Sequence, residues 1–254
     1  MSKRFIQLTQ PEIADALARN PLVIIPTGSV EQHGPHLPTG TDYYASLGVA
    51  EGVAEHLDGL VLPFCPIGVT RMHMPYEGTL TVSPQTFQRL LIEVAGSAAT
   101  HGAKQLLIIN WHEGNIPAIA LAADHLHSHH GMTVLVVQAC YVAEEMFGDI
   151  AGGLTHGGEI EVWSVLCTRP ELVHLDRVTN SSDRVRGAHA DHIRRTRTYQ
   201  PVLRDIRVIA PTGWYGDPLQ ATPEKAAEFA RSLALAIAQH ASEILQQLEV
   251  MNQA

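Results

Sequence analysis

Short apolar segments alternate with longer amphipathic segments along this chain, and this alternation restricts its fold more than any other feature. Apolar runs at residues 22–25, 60–65, 106–109 and 133–137 are typical of strands that are buried on both faces. Helical spacing of apolar residues follows Asp42, recurs over 84–101 and 116–129, and runs from 223 to about 250. This order predicts an α/β fold, with a mainly parallel sheet covered by helices on both faces.

Length and composition are consistent with one domain over residues 1–254. The chain is 45% hydrophobic and 17% charged, without a linker or an internal repeat. Its start lacks the apolar centre of a secretory signal, and no apolar run is long enough to span a bilayer. Cys65, Cys140 and Cys167 lie far apart, without the spacing of a disulfide scaffold. The sequence therefore predicts a cytoplasmic protein with no membrane partner.

The charge distribution argues against nucleic acid as a partner. The formal net charge is −9 at pH 7, and acidic residues interrupt the local basic stretch between Arg184 and Arg197. We expect a small-molecule substrate instead.

The loop after the first predicted strand is dense in residues that can bind metals. It includes Glu31, His33 and His36 between Gly28 and Pro38, and Asp42 follows shortly after. Loops at the carboxyl ends of parallel strands commonly bind ligands. Glu31 and His33 can face one side of an extended segment, so two metal ions could share them with Asp42. In the structural alternative, Glu31 is a surface carboxylate, His33 packs the loop and Asp42 caps a helix.

A second candidate loop, Asn110 to Asn115, follows the predicted strand at 106–109. His112 is its natural metal ligand. The alternatives are that His112 is a hydrogen-bonded turn residue and that Asn115 caps the next helix.

The third candidate loop covers residues 155–161. It contains His156 before two glycines, which permit close approach of the backbone. Glu159 or Glu161 can enter the first turn of a helix, where a carboxylate also complements the helix dipole without any further role. Each of the three loops thus combines a histidine with a nearby carboxylate at a predicted strand end.

Together these loops closely resemble the creatininase, or creatinine amidohydrolase, family. The similarity is carried by the pattern GS-EQHGPHLP-D at 28–42, an N-H-N turn at 110–115 and an HAG-E-type segment at 156–161. Weaker similarities at 73–79 and 216–225 extend the resemblance over nearly the whole chain.

The resemblance implies a three-layer α/β/α sandwich, assembled as a homo-oligomer such as a hexamer. It also implies a hydrolase that cleaves a non-peptide C–N bond in a small amide or ureide, for which we expect a cyclic compound. Two divalent ions, with zinc, manganese or iron as candidates, would generate hydroxide from a bridging water. The implied ligands are Glu31, Asp42 and His112 for one ion, and His33, Asp42 and Glu161 for the other. His156 would move a proton to the leaving nitrogen.

The chain departs from the family pattern at four positions that we expect to shape the substrate pocket. These positions are Glu77, Trp111, Glu113 and Trp163. The departures argue against creatinine itself as the substrate.

The last carboxylate ligand has two candidates. Creatininase is expected to place a Glu two residues after its histidine, but this chain has Gly114 there. Glu113 is one residue too early for that role, so Glu161 is the expected ligand and Glu113 is the alternative.

Other functions also fit these residues. A deformylase, or a ring-opening hydrolase of a cyclic carbonyl compound, could use the same metal centre. A non-catalytic metal-binding protein would need no proton carrier such as His156. The chain lacks the Gly-x-Ser-x-Gly motif of a serine hydrolase.

A separate group of four histidines lies between residues 125 and 130, just before Gly131. Cationic side chains favour the carboxyl end of a helix. We therefore expect these histidines at a solvated helix end rather than in a metal site.

Overall fold

Four parallel strands form the sheet in the described part of the chain. They are β1 (Leu22–Thr27), β2 (Leu60–Val61), β3 (Gln105–Asn110) and β4 (Thr133–Gln138), in the order β2-β1-β3-β4. The computed structural model describes residues 3–178 and 202–252, and the basic stretch between Arg184 and Arg197 lies outside these ranges.

Helices cover both faces of this sheet. They are α1 (Gln10–Arg19), α2 (Thr41–Leu57), α3 (Pro84–Thr100), α4 (Ile116–His130), α5 (Ala139–Ala151), α6 (Glu159–Leu166) and α7 (Pro223–Asn252). Helices α1, α3 and α4 pack on one face, and α2, α5, α6 and α7 pack on the other. The predicted three-layer α/β/α sandwich is therefore confirmed.

The central strands are apolar throughout because neighbouring side chains point into different cores. Ile24 and Leu107 pack beneath α2 and α7, whereas Ile25 and Ile108 pack beneath α3 and α4. All four side chains are fully buried. Each contributes about 1.5–3 kcal/mol of hydrophobic stabilisation.

Strand β2 is shorter than the predicted strand at 60–65. Its pairing with β1 is limited to Leu60 and Val61, although the Leu62 N–H still donates to the Ile24 carbonyl at 2.9 Å. Pro63 and Pro66 lack the N–H group that a continuing ladder requires. The two prolines explain why an apolar run does not become a longer strand.

The carboxyl ends of β1, β3 and β4 finish level with one another, with Thr27, Asn110 and Gln138 in register. The Thr27 hydroxyl donates to Asn110 Oδ1 at 3.0 Å, and Asn110 Nδ2 donates to Gln138 Oε1 at 2.7 Å. The loops that leave this edge of the sheet therefore begin from a row of hydrogen-bonded side chains.

Helix α7 is the longest element in the described ranges, with 30 residues. It is amphipathic, and Phe229, Leu233 and Ile237 are buried in the core beneath α2. Within 3–178 and 202–252, no helix is both long and apolar enough to cross a bilayer.

Candidate metal centre

The loop between β1 and α2 places Glu31, His33 and Asp42 in the interior, where each is at least nine-tenths buried. The Glu31 N–H donates to the Thr39 carbonyl at 2.8 Å, which closes the loop on itself. A Cβ atom on Gly28 would lie 2.5 Å from the backbone carbon of Asp42. Only glycine at position 28 allows the start of α2 to approach β1 this closely.

Asp42 lies between two imidazole rings. Its Oδ1 is 3.2 Å from His33 Nε2, and its Oδ2 is 3.0 Å from His112 Nδ1. The Ser29 hydroxyl donates to Oδ2 at 2.8 Å and orients the carboxylate. Each carboxylate oxygen therefore faces a different histidine, as the oxygens of a bridging ligand would.

Backbone carbonyls hold the other nitrogen of both rings. His33 Nδ1–H donates to the Glu31 carbonyl at 3.0 Å, and His112 Nε2–H donates to the Val69 carbonyl at 3.1 Å. In the neutral rings, the lone pairs of His33 Nε2 and His112 Nδ1 then face the carboxylates. Metal-binding histidines are commonly oriented by such a second hydrogen bond.

Helix α6 supplies a further carboxylate, Glu161, from its first turn. Glu161 Oε2 lies 3.6 Å from His33 Nε2 and accepts a hydrogen bond from the Gly157 N–H. Gly157 has φ +76° and lies close to the His33 carbonyl and to Trp214. This left-handed conformation at a crowded position favours glycine and sets the entry into α6.

These side chains form what we call the ligand cluster: Glu31, His33, Asp42, His112 and Glu161. Within it, two groups of three ligand atoms each lie within 4.8 Å of one another and share Asp42. The groups are Glu31, Asp42 and His112, and His33, Asp42 and Glu161. His33 Nε2 is buried without a hydrogen bond of proper geometry. A set of imidazole and carboxylate donors with such an atom fits zinc, manganese or ferrous iron.

The charges in the ligand cluster are strongly coupled. Burial lowers the pKa of His33, but Glu161 and Asp42 raise it by more, so it stands well above its usual value. Burial opposes protonation of His112 too, yet Glu31 and Asp42 raise its pKa to about 9. Burial raises the pKa of Glu161, and His33 offsets part of that rise. Without an ion, protonated imidazoles balance the buried carboxylates, and a bound cation would replace those protons.

His156 lies beside the ligand cluster, with its ring centroid 4.3 Å from that of His33 and 4.7 Å from that of His73. Its Nε2–H donates to the Gln32 carbonyl at 2.7 Å, which leaves Nδ1 as the basic nitrogen. Burial holds the pKa of His156 well below its usual value, and the nearby His33 and His73 lower it further. The ring is therefore neutral at pH 7.

Two residues outside the predicted set contact Glu31. The Thr70 hydroxyl donates to Glu31 Oε2, and His73 Nε2 lies 3.6 Å from Glu31 Oε1. The similarity at 73–79 was a signal for His73. No sequence signal indicated Thr70. Its contact with Glu31 joins residues 39 positions apart and forms only when the chain folds.

The second loop is fixed by side-chain amides. Asn110 Nδ2 donates to the His112 carbonyl at 2.7 Å. Asn115 Nδ2 donates to the Gly28 carbonyl at 2.9 Å, and its Oδ1 accepts from the Val69 N–H at 2.9 Å. Asn115 makes no side-chain cap to α4. It ties together the loops that carry the ligand cluster instead.

His36 supports the loop rather than joining the ligand cluster. It is fully buried, and its Nε2–H donates to the Gly157 carbonyl at 2.7 Å. Burial lowers the pKa of this ring. The hydrogen bond joins the β1 loop to the segment that precedes α6.

A cavity of about 380 Å³ opens over the ligand cluster. Trp111 and Glu113, two of the four predicted pocket residues, line it. Glu113 is half-buried and accepts a hydrogen bond from the Tyr141 hydroxyl at 2.7 Å. It belongs to neither of the two ligand groups that share Asp42, which contain Glu161 instead.

The other two predicted pocket residues lie elsewhere. Glu77 is exposed and borders a separate depression beside Trp214. Trp163 is 2% exposed and packs against Phe147 and Phe229 in the core. Two residues along a helix correspond to about 200° of rotation. Trp163 therefore faces away from Glu161, although the two are close in sequence.

Comparison with known proteins agrees with the fold. The family model for creatininase, described as creatinine amidohydrolase, matches residues 6–241. The chain belongs to the creatininase family. Its creatininase-family amidohydrolase fold carries candidate metal-binding residues.

The relatives of this chain include proteins that are described with different activities. A mycofactocin precursor peptide peptidase from Mycobacterium ulcerans is 30% identical over 80% of this chain and 77% of its own length. A creatinine amidohydrolase from Pseudomonas putida is 28% identical over 68% of this chain and 75% of its own. A solved mutant creatininase of the Zn-Zn type has a TM-score of 0.78 at 23% identity, over 96% of this chain and 99% of that one. The last similarity shows the shared fold.

Proposed function

We propose that this chain is a metal-dependent amidohydrolase that cleaves the non-peptide C–N bond of a small amide or ureide. The observation that carries the proposal is the pair of ligand groups that share Asp42 beneath an open cavity. Glu31, Asp42 and His112 would hold one divalent ion, and His33, Asp42 and Glu161 the other. Bound ions of this kind activate water and polarise the substrate carbonyl.

The residues around the ligand cluster would prepare it for that chemistry. The Thr70 hydroxyl holds Glu31, and the Ser29 hydroxyl holds Asp42, so both carboxylates are oriented before an ion binds. Trp111 and Glu113 contribute to the cavity walls and would select the substrate.

His156 would carry the proton. Its ring is neutral at pH 7, and Nδ1 has a free lone pair that can take a proton and return it to the leaving nitrogen. A competing role exists, because His156 also forms a ligand group with Glu31 and His33. His156→Ala separates the two roles. A proton carrier would lose turnover and keep both ions, whereas a ligand would lose an ion.

Peptide cleavage is a second candidate reaction on the same metal centre. It is favoured by the relative described as a peptide peptidase, which is 30% identical over most of both chains. Deformylation and ring opening of a cyclic carbonyl compound would use the same ligands. The substrate panel must therefore include formamides, lactams, ureides, cyclic ketones and short peptides.

The test combines metal analysis with turnover. Protein purified without chelator should hold up to two divalent ions, zinc, manganese or iron, and hydrolyse at least one panel compound. Chelation should abolish turnover, and added metal should restore it. Full activity in a metal-free preparation would refute the mechanism, and full metal content without any turnover would favour a non-catalytic metal-binding protein.

We also propose that the chain acts in the cytoplasm as one domain that assembles into a homo-oligomer, up to a hexamer. The family resemblance supports the assembly, and the sequence composition supports the location and the single domain. Light scattering coupled to size exclusion tests the assembly, since a monomeric mass at micromolar concentration would contradict it.

A further inference from the structure

Arg71 is the one lysine or arginine among the described residues that line the cavity over the ligand cluster. Its side chain is exposed, and it makes no hydrogen bond or ion pair with any described residue. A guanidinium beside a cavity can offer up to five N–H donors to a ligand.

The backbone that carries Arg71 is hydrogen-bonded to its surroundings next to the ligand cluster. The preceding Thr70 receives a hydrogen bond on its carbonyl from the His73 N–H at 3.1 Å, and its own N–H donates to the Thr81 hydroxyl at 2.9 Å. The Thr70 hydroxyl contacts Glu31 of the ligand cluster. Arg71 is thus a single residue away from a group that holds a proposed metal ligand.

Charge in the cavity favours an anionic substrate group near Arg71. Glu31, Asp42 and Glu161 supply three negative charges, fewer than the charge of two divalent ions, so the loaded centre does not repel an anion. The guanidinium of Arg71 then offers an anionic group a positive partner at the cavity wall.

Arginine recognises carboxylates better than other anion-binding side chains do, because its planar donors match both carboxylate oxygens. The cavity is also lined by Met72, Leu203 and Ile206, which can contact the hydrocarbon part of a small substrate. A volume of about 380 Å³ suits a compound of the size of an acylated amino acid or a dipeptide.

We propose that this cavity selects small amides that carry a free carboxylate, such as N-acyl amino acids, and that Arg71 binds that carboxylate. The inference rests on the proposed function, because the substrate's amide group must reach the metal centre. It names Arg71 as a specificity-determining residue and a carboxylate as the group that Arg71 recognises.

The experiment compares matched compounds and matched variants. N-formyl and N-acetyl amino acids and dipeptides are each paired with the alcohol in which CH₂OH replaces the carboxylate. The metal-loaded wild type should favour the carboxylates in kcat/KM by about tenfold, the scale of one charge-assisted interaction at an exposed site. Arg71→Gln should remove this preference, and Arg71→Lys should restore part of it. Arg89→Gln is the control, because Arg89 forms an exposed ion pair with Glu93 on α3. This variant should leave the preference for carboxylates unchanged.

Calorimetric binding of the same N-acetyl amino acids gives a measurement that is independent of turnover. Binding that weakens about tenfold in Arg71→Gln, without hydrolysis of any compound, would support the carboxylate subsite and refute the proposed function. A different result would overturn the inference: both the carboxylate and its matched alcohol are hydrolysed, and Arg71→Gln lowers the two rates equally. The proposed function would then still stand. If the protein neither binds nor hydrolyses any of these compounds, both the inference and the proposed function are overturned.

Discussion

The loop at 28–42 and the end of α4 are both rich in histidine, but their surroundings differ. In the loop, His33 is fully buried, it faces two carboxylates, and a backbone carbonyl fixes its other nitrogen. At the end of α4, His129 is exposed and stacks on His125 at 4.2 Å, and its Nδ1–H donates to the His125 carbonyl. Within the described ranges, every group of three potential metal ligands includes two residues of the 28–42 loop, and none includes a histidine of α4.

This difference teaches that the number of histidines does not define a metal site. A histidine can bind strongly when its ring is held in place and when carboxylates nearby need a counter-charge. The exposed α4 histidines have water as an alternative partner, and they lie where cations stabilise the helix end. The same residue type therefore serves two purposes in one chain.

The largest expected effect follows from removing the shared carboxylate of the loop. Asp42→Asn should lose both ions and lower kcat/KM by roughly a thousandfold or more, as when the central group of an active site is removed. His36→Ala is the matched control, since the His36 ring donates to the Gly157 carbonyl and packs on Trp214 and is in none of the ligand groups. It should retain more metal than Asp42→Asn. Metal content by mass spectrometry checks both, and equal, full occupancy would show that Asp42 is not the bridge.

A smaller loss is expected from the carboxylate on α6. Glu161→Gln should lose one ion, because Glu161 faces His33 and not His112. Glu113→Gln should keep both ions and change mainly the substrate preference, since its carboxylate is held by the Tyr141 hydroxyl at the cavity wall. Metal titration distinguishes the two variants. Loss of an ion in Glu113→Gln with full occupancy in Glu161→Gln would reverse the assignment.

Metal uptake should release protons and strengthen with rising pH. In the metal-free protein the pKa of His112 is about 9, so its ring is protonated at pH 7 and must lose that proton to bind an ion. Affinity should rise about tenfold per pH unit for each proton released below pH 9. Calorimetry in buffers of different ionisation enthalpy measures the release. An affinity that does not change between pH 6 and pH 8 would contradict the proposed role of His112.

The same raised pKa affects stability of the metal-free protein. The protonated ring contributes stability fully below its unfolded pKa near 6.5, and this contribution disappears as the pH rises through about 9. The metal-loaded protein should lack this dependence because the ion replaces the proton.

The smallest effect is expected at the other histidine-rich region. A double variant of His125→Gln and His129→Gln should retain both ions and full activity, with a stability change within about 0.5 kcal/mol. Thermal unfolding and metal content check it side by side with the loop variants. Loss of a stoichiometric ion from this variant would remove the contrast between the two regions.

Much of the fold was predictable because its signals are local. Apolar runs such as the one at 106–109 are too continuous for a one-sided strand, and the Ser83-Pro84 start of α3 is a helix signal in itself. The extent of β2 was wrong, because apolar residues continued past the point where Pro63 ends the ladder.

The candidate site was predictable where a motif carried its geometry. The placement of Glu31, His33 and Asp42 in one loop implied that they would meet, and the spacing of Glu161 from His156 came from the resemblance to the family. Trp163 was misplaced because its sequence position says nothing about the face of α6 that it occupies. Contacts such as Thr70 with Glu31 arise only when distant segments fold together.

Anomalous diffraction from crystals of the metal-loaded protein tests the central claim most directly. We predict two peaks, one within about 2.0–2.2 Å of ligand atoms of Glu31, Asp42 and His112, and one within that range of His33, Asp42 and Glu161, as expected for zinc bound by nitrogen and oxygen. A peak bound by Glu113 with Glu161 remote would contradict the assignment of ligands. Peaks at the end of α4 and none at Asp42 would contradict the metal centre itself.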